Sequence, residues 1–154
     1  MIIEGNKAPE FDETNQDGEV VSLKSLKGKK VVVYFYPKDN TPGCTIEAKS
    51  FRDHNKELKD RGVVVLGVSP DKQKSHRNFC NKYELNFDLL VDETHELAQM
   101  YGVWGEKKMY GKVYMGIIRS TFIIDEDGVV MKAYYNIKAD GHGEEVVAWL
   151  SENA

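Results

Sequence analysis

Two hydrophobic periods alternate along the chain. Val31-Val32-Val33-Tyr34-Phe35 is an unbroken β-branched and aromatic run. Such a run suits a central strand covered on both faces. Pro37 ends it. The pattern returns at residues 63–68, which stop at Ser69-Pro70-Asp71, and again at 87–91 and 120–125. Between the strands the period lengthens. Ala48, Phe51, Asn55 and Leu58 share one face of a helix over 45–59, closed by Arg61-Gly62. His76, Phe79, Cys80 and Tyr83 share a face of a helix over 72–84. A short helix over 95–101 turns Leu97, Ala98 and Tyr101 inward and ends at Gly102. A last helix over 141–152 carries Val146, Val147, Trp149 and Leu150.

Turn residues punctuate the rest. Asn15-Gln16-Asp17-Gly18 sits between two short apolar stretches in 11–23 and predicts a hairpin. Glu126-Asp127-Gly128 predicts a second, leading into a strand over 129–135. Residues 25–29 read as a connector of about one helical turn. Residues 103–118 are aromatic and Gly-rich and read as a long ordered loop. Strands alternating with helices, then a closing hairpin, imply an α/β fold: a mixed central sheet with helices on both faces. No repeat, low-complexity segment or linker interrupts it, so residues 1–154 read as one domain.

Composition narrows the function classes. Hydrophobic residues make up 41% and charged residues 30%, as in a soluble globular protein. A net charge of −4, with cations interleaved among acids, gives no case for nucleic acid or an anionic membrane. The first residues show no basic stretch followed by an apolar one, and no apolar run approaches the roughly 20 residues of a membrane span. The cytoplasm is the expected compartment. There, two cysteines read as reactive or merely buried, not as a permanent staple. Two Cys and four scattered His make no zinc spacing, and no metal or cofactor is expected.

The chemistry centres on Tyr36-Pro37-Lys38-Asp39-Asn40-Thr41-Pro42-Gly43-Cys44-Thr45-Ile46-Glu47. This stretch leaves the first central strand, turns, and enters a helix with Cys44 at or beside its first turn. Unpaired backbone N–H groups and the positive end of the helix dipole meet there and favour a thiolate. The C-terminal edge of the strands is also where sites gather in open α/β sheets. Cys44 is therefore the candidate nucleophile.

Pro37-x-x-x-Thr41-Pro42-Gly43-Cys44-Thr45-x-Glu47 resembles the peroxiredoxins, and within them the Q-type, bacterioferritin-comigratory branch. Ala8-Pro9-Glu10-Phe11, Gly67-Val68-Ser69-Pro70-Asp71, Tyr101-Gly102-Val103-Trp104-Gly105-Glu106-Lys107-Lys108 and Gly116-Ile117-Ile118-Arg119-Ser120-Thr121-Phe122 extend the resemblance through nearly the whole chain in family order. It implies a thioredoxin-like fold with an added N-terminal hairpin, and a thiol-dependent peroxidase, monomeric and reduced by thioredoxin or a similar dithiol. Carried over position by position, Cys44 is the peroxidatic cysteine. Thr41 hydrogen-bonds the peroxide and the thiolate, Pro37 shields the pocket, Arg119 braces thiolate and substrate oxygens, and Glu47 orients Arg119. Donors aimed at the departing oxygen lower the barrier to breaking an O–O bond.

One departure matters. Many Q-type members carry a second cysteine at the fifth position after the first, which is Lys49 here. Another subset of the family places its resolving cysteine in the helix that Cys80 occupies, which implies a Cys44–Cys80 disulfide. On different helices the two Cα atoms are expected to exceed the roughly 7 Å bridging limit, so one helix or both must unwind.

Plainer readings stand beside these. Cys80 lies on an apolar face, and a core cysteine is its plainer reading beside the resolving role. That reading makes the enzyme a one-cysteine type reduced by an outside thiol. Arg119 could be a surface charge, Thr41 a helix cap and Glu47 a dipole-complementing acid. His54, His76, His95 and His142 show no partner spacing and read as surface or packing residues. Trp104, Tyr110 and Tyr114 read as loop packing or as a pocket or docking wall. Asp125-Glu126-Asp127-Gly128 lacks the further ligands of a calcium loop and reads as a turn. Two rival functions remain: a thiol–disulfide oxidoreductase, although Cys44-Thr45-Ile46-Glu47 lacks its second cysteine, and a redox sensor that passes oxidation to a partner.

Overall fold

The computed structural model describes residues 2–153. Its centre is the apolar run that the sequence marks. Strand β3 (Lys30–Phe35) is followed by α1 (Pro42–Asp60), β4 (Val63–Ser69), α2 (Gln73–Tyr83), β5 (Asp88–Val91) and α3 (Glu96–Met100). Strands β8 (Ser120–Ile124) and β9 (Val130–Tyr134) and helix α4 (His142–Glu152) close the chain. The sheet order is β5-β4-β3-β8-β9. Strands β3, β4 and β5 are parallel; β8 runs antiparallel to β3, and β9 antiparallel to β8.

Alternation along β3 explains why it is apolar throughout. Val31, Val33 and Phe35 face one core, with Leu97 and Ala98 of α3. Val32, Tyr34 and the following Tyr36 face the other, with Ala48, Phe51 and Leu58 of α1, Phe79 of α2, and Val146 and Leu150 of α4. Each such side chain contributes about 1.5–3 kcal/mol by leaving water. Helices thus cover both faces, as the alternation of elements requires. At Gly67 on β4 an added Cβ would stand 2.7 Å from Leu89 and 3.0 Å from the Tyr34 ring, so only glycine lets the Tyr34 ring lie across this strand.

The N-terminal hairpin pairs β1 (Asp12–Thr14) with β2 (Val20–Ser22), and Lys24–Leu26 forms a single 3-10 turn after it. Gln16 at its tip docks on β5, donating to Asp88 and accepting from the Leu89 N–H.

The predicted loop over 103–118 is a correction. It is a hairpin of β6 (Trp104–Met109) and β7 (Lys112–Ile117), turned at Tyr110-Gly111. Both turn residues have positive φ, 51° and 77°, the mark of a two-residue hairpin turn matched to strand twist. The strands are exposed over most of their length, so no buried face imposes an apolar–polar alternation. Tyr110 packs on nothing: it is 98% exposed. Tyr114 is exposed too, whereas Trp104 stacks on His95 at 3.8 Å between ring centres. Asp125-Glu126-Asp127-Gly128 is the expected turn, with Asp125 accepting from the N–H groups of Asp127 and Val129.

Candidate active site

Helix α1 begins at Pro42, which places Cys44 in its first turn. Proline suits that position because its missing N–H would have no partner there. The Gly43 and Cys44 N–H groups find no acceptor among the described residues. They remain free donors beside the sulfur, as helix geometry demands.

Antiparallel pairing sets the second half of the site. Phe35 lies opposite Ser120, so Arg119 stands beside the loop that leaves β3. Its Nη2 donates to Cys44 Sγ at 3.3 Å and its Nη1 to Glu47 Oε1 at 2.5 Å. A Cβ at position 43 would come within 3.3 Å of Nη2, so glycine gives the guanidinium room. Burial works against the Arg119 cation, but Glu47 and Cys44 outweigh it and raise the group above its ordinary range. Glu47 is wholly buried, and its Oε2 meets no hydrogen-bond donor. Burial pushes its carboxyl up to about 7, with Arg119 pulling the other way. The two directions are compatible: the guanidinium stays charged throughout, and the acid is the partner that titrates.

Pro37 and Arg119 border a cleft of about 650 Å³, lined also by Lys107, Ile118, Tyr135 and Ile137. Lys107 donates to the Ile117 carbonyl. Burial, with Arg119 adding to it, holds its ammonium below the usual range. Thr41 occupies the N-cap position, but its side chain caps nothing. Its hydroxyl donates to the Lys38 carbonyl at 2.9 Å and does not bond Cys44 here.

Cys80 is buried on α2, on the face the sequence indicates, and both cysteines are free. Burial first, then the negative charges of Asp39, Asp88 and Asp17, push its thiol up to about 12.

Sequence reading missed a buried network beside the site. Asp39 Oδ1 accepts from Tyr36 at 2.5 Å, and Oδ2 accepts from Ser75 and from His76 Nδ1 at 2.7 Å. His76 Nε2 faces the Leu90 carbonyl at 2.8 Å. Facing atoms of Asp39, Asp71 and His76 lie within 4.8 Å of one another. They are taken up within the chain, since Asp71 also accepts from the Asp39 N–H and from Ser69. His142 is likewise buried, between Thr121 and Glu145, and burial lowers its ring from its ordinary value. The available signals were faint. Asp39 lies inside the Pro37–Cys44 motif, and His76 precedes Cys80 by one turn.

A cysteine in a helix first turn, braced by an arginine at the edge of this sheet, defines a thioredoxin-like thiol peroxidase. Comparison with known proteins agrees. Residues 4–133 match the AhpC/TSA family. Peroxiredoxin Bcp of Escherichia coli is 47% identical over 150 residues, 97% of this chain and 96% of that protein. Peroxiredoxin Bcp of Bacillus subtilis is 47% identical over 153 residues, 99% and 98% of the two chains. The bacterioferritin comigratory protein of Xanthomonas campestris, described for alkyl peroxide reduction, superposes with a TM-score of 0.88 at 38% identity, covering 93% of this chain and 91% of that one. The chain belongs to the AhpC/TSA family, among the peroxiredoxins of the Bcp or Q type, and is a thiol-dependent peroxidase.

Proposed function

We propose that one domain spanning 1–154 reduces hydrogen peroxide and organic hydroperoxides through Cys44. The thiolate attacks the terminal peroxide oxygen, the O–O bond breaks, and the departing oxygen leaves as water or alcohol once protonated. Arg119 and the free N–H groups of Gly43 and Cys44 receive the negative charge that grows on that oxygen. Glu47 orients Arg119. Pro37 shields the pocket, and Thr41 turns its hydroxyl from Lys38 to the bound peroxide. The observation that carries this reading is the Arg119 contact with both Cys44 Sγ and Glu47.

Cys80 then resolves the sulfenic acid. Its sulfur attacks the Cys44 sulfur, the S–S bond forms, the S–O bond breaks, and the hydroxide leaves with the Cys80 proton as water. Thioredoxin or a similar dithiol reduces the disulfide. A monomer in the reducing cytoplasm fits this cycle. No described helix is long and apolar enough to cross a membrane.

A second reading is favoured by the burial of Cys80 and its thiol near 12: Cys80 is core, and an outside thiol reduces Cys44 directly. Peroxide turnover with thioredoxin, compared across wild type, Cys44→Ser and Cys80→Ser, separates the two. The proposed cycle requires both variants to be inactive, with a Cys44–Cys80 bond in wild type by non-reducing mass spectrometry after one equivalent of peroxide. Full activity in Cys80→Ser would leave only the one-cysteine cycle.

A further inference from the structure

Cys80 lies between two attachments of α2. One turn before it, His76 is fully buried and bonded to Asp39 and Leu90. One turn after it, Tyr83 makes a different set of contacts. Its hydroxyl donates to Asn40 Oδ1 at 3.1 Å, and its carbonyl accepts from Arg52 at 2.8 Å. The Lys49 ammonium sits 5.1 Å from the centre of its ring, and the Phe79 ring meets it edge-on at 5.5 Å. Asn40 and Lys49 are exposed, and Tyr83 and Arg52 are half-buried. The chain then leaves α2 through Glu84 in a left-handed conformation, φ 51°.

These attachments differ in what it costs to break them. Separating the buried, hydrogen-bonded His76–Asp39 pair leaves polar groups unsatisfied away from water. Contacts at the surface exchange for water at little cost. Helix ends are also where local opening begins. The Tyr83 end of α2 is therefore the less costly end to open, and the His76 end, docked on the loop that precedes Cys44, the more costly one.

We infer that Tyr83 is a positioning residue for the resolving step: held by Asn40, Lys49 and Arg52, it closes the C-terminal end of α2 over Cys80, and its release frees Cys80 to reach Cys44. This inference rests on the reading of Cys80 as the resolving thiol. The position where a resolving cysteine is absent from α1 is thus occupied by a lysine that helps hold the other cysteine closed. A buried thiol held near 12 is a poor nucleophile until it is released.

Two measurements on the full chain test this. In a Cys44→Ser background, N-ethylmaleimide labelling of Cys80 reports opening of α2 without any peroxide chemistry. Tyr83→Leu removes the hydroxyl and the ring, and labelling is expected to quicken about tenfold. Tyr83→Phe keeps the ring and is expected to fall between the two. With both cysteines present, rapid-mixing kinetics after one equivalent of hydrogen peroxide should show disulfide formation quickened by a similar factor in Tyr83→Leu. Oxidation of Cys44, read in a Cys80→Ser background, should stay within about twofold.

Unchanged labelling in Tyr83→Leu, with the Cys44–Cys80 bond still forming at the wild-type rate, would overturn the role of Tyr83 alone. Failure of wild type to form that bond would overturn it together with the resolving role of Cys80. A tenfold loss of Cys44 oxidation in Tyr83→Leu would place the ring at the peroxide site instead, and would also overturn it.

Discussion

Arg119 reaches the Cys44 sulfur with one guanidinium nitrogen and Glu47 with another. A lysine offers a compact point charge without the planar fork that fixes both contacts in direction. Arg119→Lys is therefore expected to lower kcat/KM for hydrogen peroxide by about 100-fold, the loss typical of one displaced oxyanion donor. Steady-state peroxide consumption measures it, and a loss below threefold would mean that charge alone suffices. Glu47 has a consequence for stability. Its carboxyl titrates near 7 in the folded protein against an ordinary 4.5, because it is buried. The folded chain thus keeps a proton that the unfolded chain releases between those values. That contribution is full below about 4.5 and is lost as pH rises to about 7. Glu47→Gln does not titrate. Urea unfolding from pH 5 to 8 should show wild type losing stability relative to Glu47→Gln up to about pH 7, then a constant difference. Parallel curves would mean that Arg119 keeps the carboxylate charged throughout.

Between elements, α4 approaches α1 closely at Gly143. The Gly143 N–H donates to Ser50 Oγ at 2.9 Å, and a Cβ at position 143 would stand 2.7 Å from the Ser50 carbonyl carbon and oxygen. In an ordinary helix, alanine is preferred to glycine by about 1 kcal/mol. Here the sign reverses, because the obstacle is backbone. Gly143→Ala should destabilise the fold by about 1–3 kcal/mol, read from the urea midpoint. An increase in stability would show that α4 can lift away at no cost. The β6–β7 hairpin teaches a related lesson. Its turn depends on two positive φ angles, and tyrosine at position 110 is a weak signal for one.

At the scale of the whole molecule, the proposed Cys44–Cys80 bond would require two helices on one face of the sheet to part while the sheet holds. Cys44 sits in the first turn of α1 and Cys80 near the end of α2. Hydrogen exchange of the oxidised chain should show residues 42–46 and 77–83 losing protection, while β3, β4 and β8 keep theirs. Loss of protection across the sheet would instead point to global unfolding on oxidation.

The central strands and three long helices were legible because their apolar periods follow from burial on one face or both. The placement of Cys44 in a helix first turn was legible because the helix start and the Pro-Gly turn are local to it. Residues 104–117 were not, since an exposed hairpin imprints no period. The expected Thr41 bond to the thiolate was not realised either, because the Lys38 carbonyl lies within reach of its hydroxyl. By itself, then, the sequence determined the central strands, the long helices between them and a cysteine at a helix start, which depend on near neighbours. Tertiary structure decided that Arg119 meets Glu47, that Asp39 meets His76, and that Tyr83 meets Asn40. Those pairs are 72, 37 and 43 residues apart, and only strand register and helix packing bring them together.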